Sequence, residues 1–368
     1  MQKGLLRMRK LLFLLVLCFT FSCALCEEAP VTFFEAPLQV TLTFTGDCTL
    51  GNTPLLRGRD ASFEAYVEKN GLEYPFANVK SLFEEDDLTV INLEGVFHDS
   101  EEGVAPKKTY TFRAPTSYAQ MLPMSSIEAC YLGNNHVYDY GEPGYLSTIR
   151  ALDAQGVHWF GSTEFDNVSW VYEKGNAKIG FVSIYISWWW QEGMGMEMKE
   201  TIRKLKEEEG CQVVIACLHG GVEYDNHHDM NQERMADQFL KNGADIIVGN
   251  HPHVIQGLRT ANGKTNLWSL GNFVFGGNKE VKSIRTYLAR FTLSFEEDGT
   301  YLGHQLNIIP AHMSGTRDYN NYQPVLVTDE KEAGKILSAI QYDVKKLKLQ
   351  PWQEGIGALQ EFVPAQTP

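Results

Sequence analysis

The chain has 368 residues, with 43% apolar and 21% charged side chains and a formal net charge of −14. That length allows one large domain or two ordinary ones, and the composition is that of a globular protein rather than a fibrous or disordered one. The negative balance argues against nucleic acid and anionic lipid as partners, so an acidic substrate would need a local positive centre such as bound metal.

Lys3, Arg7, Arg9 and Lys10 precede an apolar run over residues 11–25. The run is short against the roughly 20 residues of a spanning helix. Ala24-Leu25-Cys26 puts small residues before Glu27, so residues 1–26 read as a secretory signal peptide and 27–36 as a linker. An uncleaved anchor, or lipidation at Cys23 or Cys26, is the alternative. Without the four basic residues of the leader the balance is 28 basic against 46 acidic, or −18. Cys48, Cys130, Cys211 and Cys217 remain and are expected as buried thiols, although an oxidising compartment would permit a disulfide.

Residues 38–44 alternate like a strand and run into Gly46-Asp47. Residues 76–83 carry apolar side chains at helical spacing. Buried-type strands over 88–93 and 127–132 end at Asn92-Leu93-Glu94 and Asn134-Asn135-His136. A helix is expected over 143–152, a strand over 178–186, and a charged helix over 196–209 that closes at Gly210. Residues 213–218 form another strand, before His219-Gly220-Gly221. Met235, Ala236, Phe239 and Leu240 share one helical face, with Gly243 beyond it. A strand over 244–248 precedes His251-Pro252-His253. Residues 265–268, 287–295 and 301–309 read as antiparallel strands or hairpins, with Asp298-Gly299 as a turn and Ser269 to Asn272 as a tight turn behind the histidines. This alternation predicts an α/β fold with a mixed sheet and helices on its faces. The body is expected to span 37–310 and a C-terminal extension 311–368. In the extension Asp329 and Glu332 suggest a capping box ahead of a helix with Ala333, Ile336, Leu337 and Ile340 inward, and the end from 351 is expected to be loose.

Ligands of α/β sheets collect beyond the carboxyl ends of the strands. Asp47, Glu94, Asn135, His219, His251 and His253 all fall there, and Pro252 fixes the backbone between the last two. Carboxylates, an amide oxygen and imidazoles form a mixed N/O donor set that suits Zn, Mn or Fe. Two such divalent ions polarise an ester and activate a water. Each residue alone has an ordinary reading as a turn cap or a core histidine; the set together points to a site. The chain has no P-loop, Gly-x-Ser-x-Gly elbow or dinucleotide fingerprint, which argues against ATP-driven ligation within it.

The series FTGD, INLEG, LGNNHVYDYG, CLHGGVEY, GNHPHVIQG and WSLGNFVF, over about residues 43–275, resembles the CapA family of poly-γ-glutamate capsule synthesis proteins. That family is similar in fold to the calcineurin-like metallophosphoesterases. The resemblance implies a layered sandwich of mixed β-sheets flanked by α-helices. It implies that Asp47 is the first-strand metal carboxylate, Glu94 the bridging one, and Asn135, His219, His251 and His253 the remaining ligands of two divalent ions. It assigns His136 to stabilising or protonating the reacting phosphate. It also implies a secreted or surface protein of capsule synthesis with phosphoester-type hydrolysis, or alternatively a non-catalytic polymer-binding or export component. The partners implied are an anionic polymer or phosphoester and membrane-bound capsule synthesis proteins. The chain departs from the pattern at three places: Thr49 stands where Asp-x-His would put a histidine, Glu94 replaces an Asp, and Gly220 replaces a Trp.

Around this set, Asp139 is expected to orient His136 or to be a surface turn residue. Glu223 reads as a ligand-contacting carboxylate or an exposed loop acid, and Arg113 as a bidentate substrate clamp or a structural ion pair. Of Trp188, Trp189 and Trp190, packing is the favoured reading, with Trp190 as a rim residue for substrate. His227 and His228 sit in an acidic loop and read as solvated.

Overall fold

In the computed structural model, which describes residues 37–161, 167–190, 193–342 and 347–366, the first strand is Leu38–Cys48. The expected signal peptide and linker lie outside the described residues. Val40, Leu42 and Phe44 project from one face of this strand and are fully buried. It pairs in parallel with Leu88–Leu93, which leads on to Ala129–Tyr131 and His158–Phe160, and antiparallel with Arg285–Phe295. Arg285–Phe295 and Tyr301–His312 form a long antiparallel hairpin around the turn at Gly299. A second sheet is built on Val213–His219, parallel to both Ala177–Tyr185 and Ile246–Asn250.

Strand Val213–His219 is buried at every position because both of its faces are covered. Val213, Ile215 and Cys217 face Val40, Leu42, Phe44 and Val90 of the first sheet. Val214, Ala216 and Leu218 face the helices Met194–Glu207 and Met230–Lys241 through Ile202, Leu205, Met235 and Phe239. On the far side of the first sheet, Ile91, Leu93 and Leu132 pack under Phe63, Phe83, Leu122 and Leu152 of the helices there. The result is the expected layered sandwich: helix, sheet, sheet, helix. Cys48, Cys130, Cys211 and Cys217 are buried and unpaired, as the sequence suggested. No helix among the described residues is long and apolar enough to cross a membrane.

Three local expectations change. The 76–83 stretch is a single turn at Tyr74–Phe76 followed by the short helix Lys80–Glu84. Between them the Asn78 side chain donates to the Pro324 carbonyl, 3.2 Å away, so a long-range bond sits where a continuous helix would run. The capping box at Asp329 is half formed. Asp329 accepts the Glu332 N–H at 2.8 Å, but the Glu332 carboxylate turns to Arg285 and Lys335. Residues 358–364, expected to be loose, carry paired strands. Ala358–Leu359 and Val363–Pro364 pair with Tyr301–His312, with Ala358 and Val363 buried. That long hairpin strand would otherwise present unpaired N–H and C=O groups along its outer edge.

Candidate metal centre

Parallel strands deliver the polar residues to one edge of the sandwich. The register between the first two strands shifts between Phe44 and Asp47, which sets Asp47 opposite Asn92. Gly46 permits this: a Cβ there would lie 2.1 Å from the Gly271 carbonyl oxygen. The Asp47 N–H donates to that oxygen at 2.9 Å, and the Phe273 N–H donates to the Asp47 carbonyl at 2.9 Å. Asn92 and Glu94 follow Val90 at two-residue steps and so point between the sheets. In the second sheet His219 lies opposite both Asn250 and Tyr185. His251 and His253 flank Pro252 with φ of 103° and 59°. Such backbone costs about 1–3 kcal/mol per residue and persists only where its surroundings impose it.

Glu94 is the hub. Its Oε1 lies 3.5 Å from His219 Nε2, 3.8 Å from His136 Nε2 and 3.9 Å from His253 Nε2. His219 Nε2 is also 2.7 Å from Asn135 Oδ1 and 3.1 Å from His251 Nδ1. Asp47 Oδ2 is 3.1 Å from His253 Nδ1. Two sets of potential ligand atoms, Glu94/His219/His251 and Asp47/Glu94/His253, each fit within 4.8 Å and share Glu94. A third set joins Glu223 to His251 and His253. Asp47, Glu94 and His219 are fully buried, and neither Glu94 oxygen has a hydrogen-bond partner. A buried carboxylate without donors is costly, and a cation between two such donor sets removes that cost. The residues therefore fit divalent metal.

Without metal, the electrostatics divide the imidazoles of the centre. Burial pushes the Glu94 carboxyl well above the usual range, and Asp47 beside it pushes the same way. Burial holds His219 well below the ordinary imidazole value and lowers His251 to about 4, with His253 contributing to both. Neutral imidazole is the form that ligates metal. At His253 burial acts in the same downward direction, but Glu94 and Asp47 outweigh it and raise the group to about 9.

Residues 41–277 match the family model described as the bacterial capsule synthesis protein PGA_cap. The chain belongs to this family. It is 28% identical over 255 residues to the capsule biosynthesis protein CapA of Bacillus anthracis, covering 64% of this chain and 60% of that one. It is 27% identical over 282 residues to the PGA biosynthesis protein CapA of Bacillus subtilis strain 168, covering 71% and 70%. The chain thus spans about three fifths of the length of the first of these relatives. Among solved structures it resembles a novel phosphatase of Mycoplasma pneumoniae at 16% identity and a TM-score of 0.45, covering 78% of this chain and 96% of that one.

The PGA_cap motifs are framed by neighbours with separate tasks. His136 Nδ1 lies 2.8 Å from Asp139 Oδ2, leaving Nε2 toward Glu94. Asp139 is fully buried, which removes the surface-turn reading. It also accepts the Phe112 N–H and pairs with Lys108, whose Nζ reaches the Asn135 carbonyl and sits 3.1 Å from His136 Nδ1. Asn92 Nδ2 donates to Asp47 Oδ1 at 2.8 Å and lies 3.1 Å from His219 Nδ1. Asn272 Oδ1 lies 2.9 Å from His253 Nδ1.

Asn92 and Lys108 were missed from sequence. Asn92 carried a signal, because it shares its strand face with Glu94. Lys108 carried none, since only the path of its loop brings it to Asp139.

Two of the three departures from the family pattern, Thr49 and Gly220, sit in close local contacts. Thr49 Oγ1 accepts the Gly276 N–H at 2.6 Å, so it ties two loops together. A Cβ at Gly220 would lie 2.6 Å from Ile186 Cδ1, so Ile186 crowds any side chain at this position.

The outlying residues divide. Glu223 stands at the exposed rim, within ligand range of His251 and His253. Arg113 does not reach the imidazoles; it binds Glu101 and the His98 carbonyl. The three tryptophans begin in a single helical turn, Ile186–Trp189. Trp190 is 60% exposed, whereas Trp188 packs on Tyr185, whose ring lies 6.0 Å from that of His219. His228 stacks on Trp268 at 4.1 Å, so it is a packing residue rather than a solvated one.

Proposed function

We propose that this chain is a metal-dependent hydrolase of phosphoester-type bonds in capsule synthesis, exported by its N-terminal leader and secreted or held at the cell surface. The observation that carries the reading is Glu94, a buried carboxylate with two unpartnered oxygens shared by two donor sets. Asp47, Glu94, Asn135, His219, His251 and His253 would hold two divalent ions, with Mn, Zn or Fe suited to their mixed donors. When bound, such ions polarise an ester oxygen and lower the pKa of a water.

The protein's own part is positional. Asp139 fixes the His136 ring through Nδ1, and Lys108 holds Asp139, so that Nε2 faces the basin, where it can hand a proton to a leaving oxygen. Glu223 and Trp190 are assigned to the substrate side of the rim. An anionic polymer or phosphoester is the substrate class, and membrane-bound capsule synthesis proteins are the partners in keeping with the family.

Elemental analysis of the purified full-length chain, followed by turnover of phosphoester and γ-glutamyl substrates with and without Glu94→Ala, tests this. Bound metal and Glu94-dependent turnover are expected. A metal-free wild type overturns the proposal. Metal without turnover, but with γ-glutamyl polymer retained, replaces it with a polymer-handling role.

A further inference from the structure

One donor set differs from the two that share Glu94. Glu223, His251 and His253 each offer a ligand atom within 4.8 Å of the others, and Glu94 is not among them. Burial is graded across the centre. Asp47, Glu94 and His219 are 0% exposed, His253 and His251 are 4% and 8% exposed, and Glu223 stands in solvent. His251 and His253 belong both to the set with Glu223 and to the sets with Glu94, so they link the open end to the buried one.

The position of Glu223 is built into the fold. Tyr224 holds left-handed backbone at φ 62°, and its N–H donates to the Pro252 carbonyl at 2.8 Å. This ties the Glu223 segment to the turn that carries both histidines. Such backbone in a residue other than glycine persists only where its surroundings impose it. Fully buried Gln256 donates from Nε2 to the Asp225 carbonyl at 2.9 Å and fixes the other end of the segment. The Glu223 carboxylate itself has no hydrogen bond or ion pair among the described residues. Lys282, the cation on this side, lies over the Tyr224 ring with Nζ 4.5 Å from its centre.

Only Glu223 is private to the outer set; its two imidazoles also serve the buried donors. The outer set is therefore not an independent third position. Taking an ion out of water is costly unless new donors replace its hydration at each stage. Donors with no exposure cannot begin that exchange, whereas an exposed carboxylate beside two shared imidazoles can.

We propose that Glu223 is a transit ligand, which captures a divalent cation from solvent with His251 and His253 and releases it to the buried donors around Glu94. This rests on the reading that the buried donors hold metal, and it adds the route by which metal reaches them.

Kinetics distinguish transit from permanent ligation. A group used only in transit lowers the barrier in both directions and leaves the end state unchanged. Loss of a permanent ligand weakens binding and speeds release. Full-length protein stripped of metal is mixed with Co²⁺ in a stopped-flow cell and the absorbance of the ligated ion is followed; loaded protein is then mixed with excess chelator. Glu223→Gln should slow both uptake and release by about tenfold, the lower end of what local charge adds to an association rate. Its final ion content, from elemental analysis, should equal that of the wild type. Asp225→Asn removes the same charge from the same loop, but Asp225 belongs to none of the donor sets, so its rates should match the wild type. Melting curves confirm that each variant is folded. Wild-type rates in Glu223→Gln overturn the proposal, as do slowing of uptake alone, faster release, a lower final content, or equal slowing by Asp225→Asn. A wild type that takes up no Co²⁺ overturns it together with the metal centre, whereas a loaded wild type without turnover overturns hydrolysis alone.

Discussion

At the scale of single residues, each group at the centre has a distinguishable failure. His136 sits beside the donor sets, with its Nδ1 on Asp139. His136→Asn should therefore lower turnover by about 10²- to 10⁴-fold while bound metal, measured by elemental analysis, stays at the wild-type level. Gly46 fails differently. A methyl group there meets a backbone oxygen at 2.1 Å, and backbone cannot swing aside. Gly46→Ala should cost about 1–3 kcal/mol in a denaturant melt, and it should lower metal content by displacing Asp47. Asp47, Glu94, Asn135 and the histidines were visible in the sequence because polar residues at strand ends break an apolar run. Asn92 stood inside the same motif, and its role emerged only when the register set it against Asp47.

At the scale of elements, the C-terminal helix and the strands after it act as a clasp on the long hairpin. Helix Glu330–Tyr342 inserts Ala333, Ile336 and Ile340 into the core. Its first turn is pinned by Glu332, which the Arg285 guanidinium first, and Lys335 behind it, hold at about 2 against the opposing effect of burial. A carboxyl lowered on folding stabilises the protein above its unfolded value of 4.5 and loses that contribution as pH falls toward 2. The wild type should melt above Glu332→Gln at pH 6, and the gap should close as pH is lowered from 4.5 to 2. Deleting residues 347–368 uncovers the edge of Tyr301–His312 that Ala358–Leu359 and Val363–Pro364 now pair. The truncated chain should melt at lower temperature and elute as aggregates in gel filtration.

At the scale of the whole molecule, one apolar cluster joins the two sheets. Phe44 and Val90 from one meet Phe181, Ile215 and Val248 from the other. Phe181→Ala should cost about 3–5 kcal/mol, and calorimetry should show one transition moving as a unit rather than a second one appearing.

The alternation of strand and helix, the buried thiols and the polar groups at the strand ends could all be read from the chain, because local periodicity and chain order are properties of neighbours in sequence. The order of strands, the sharing of Glu94 between two donor sets and the placement of Lys108 on Asp139 could not. Those contacts join residues far apart along the chain, and they exist only because two sheets packing on a common core bring their polar ends to one edge.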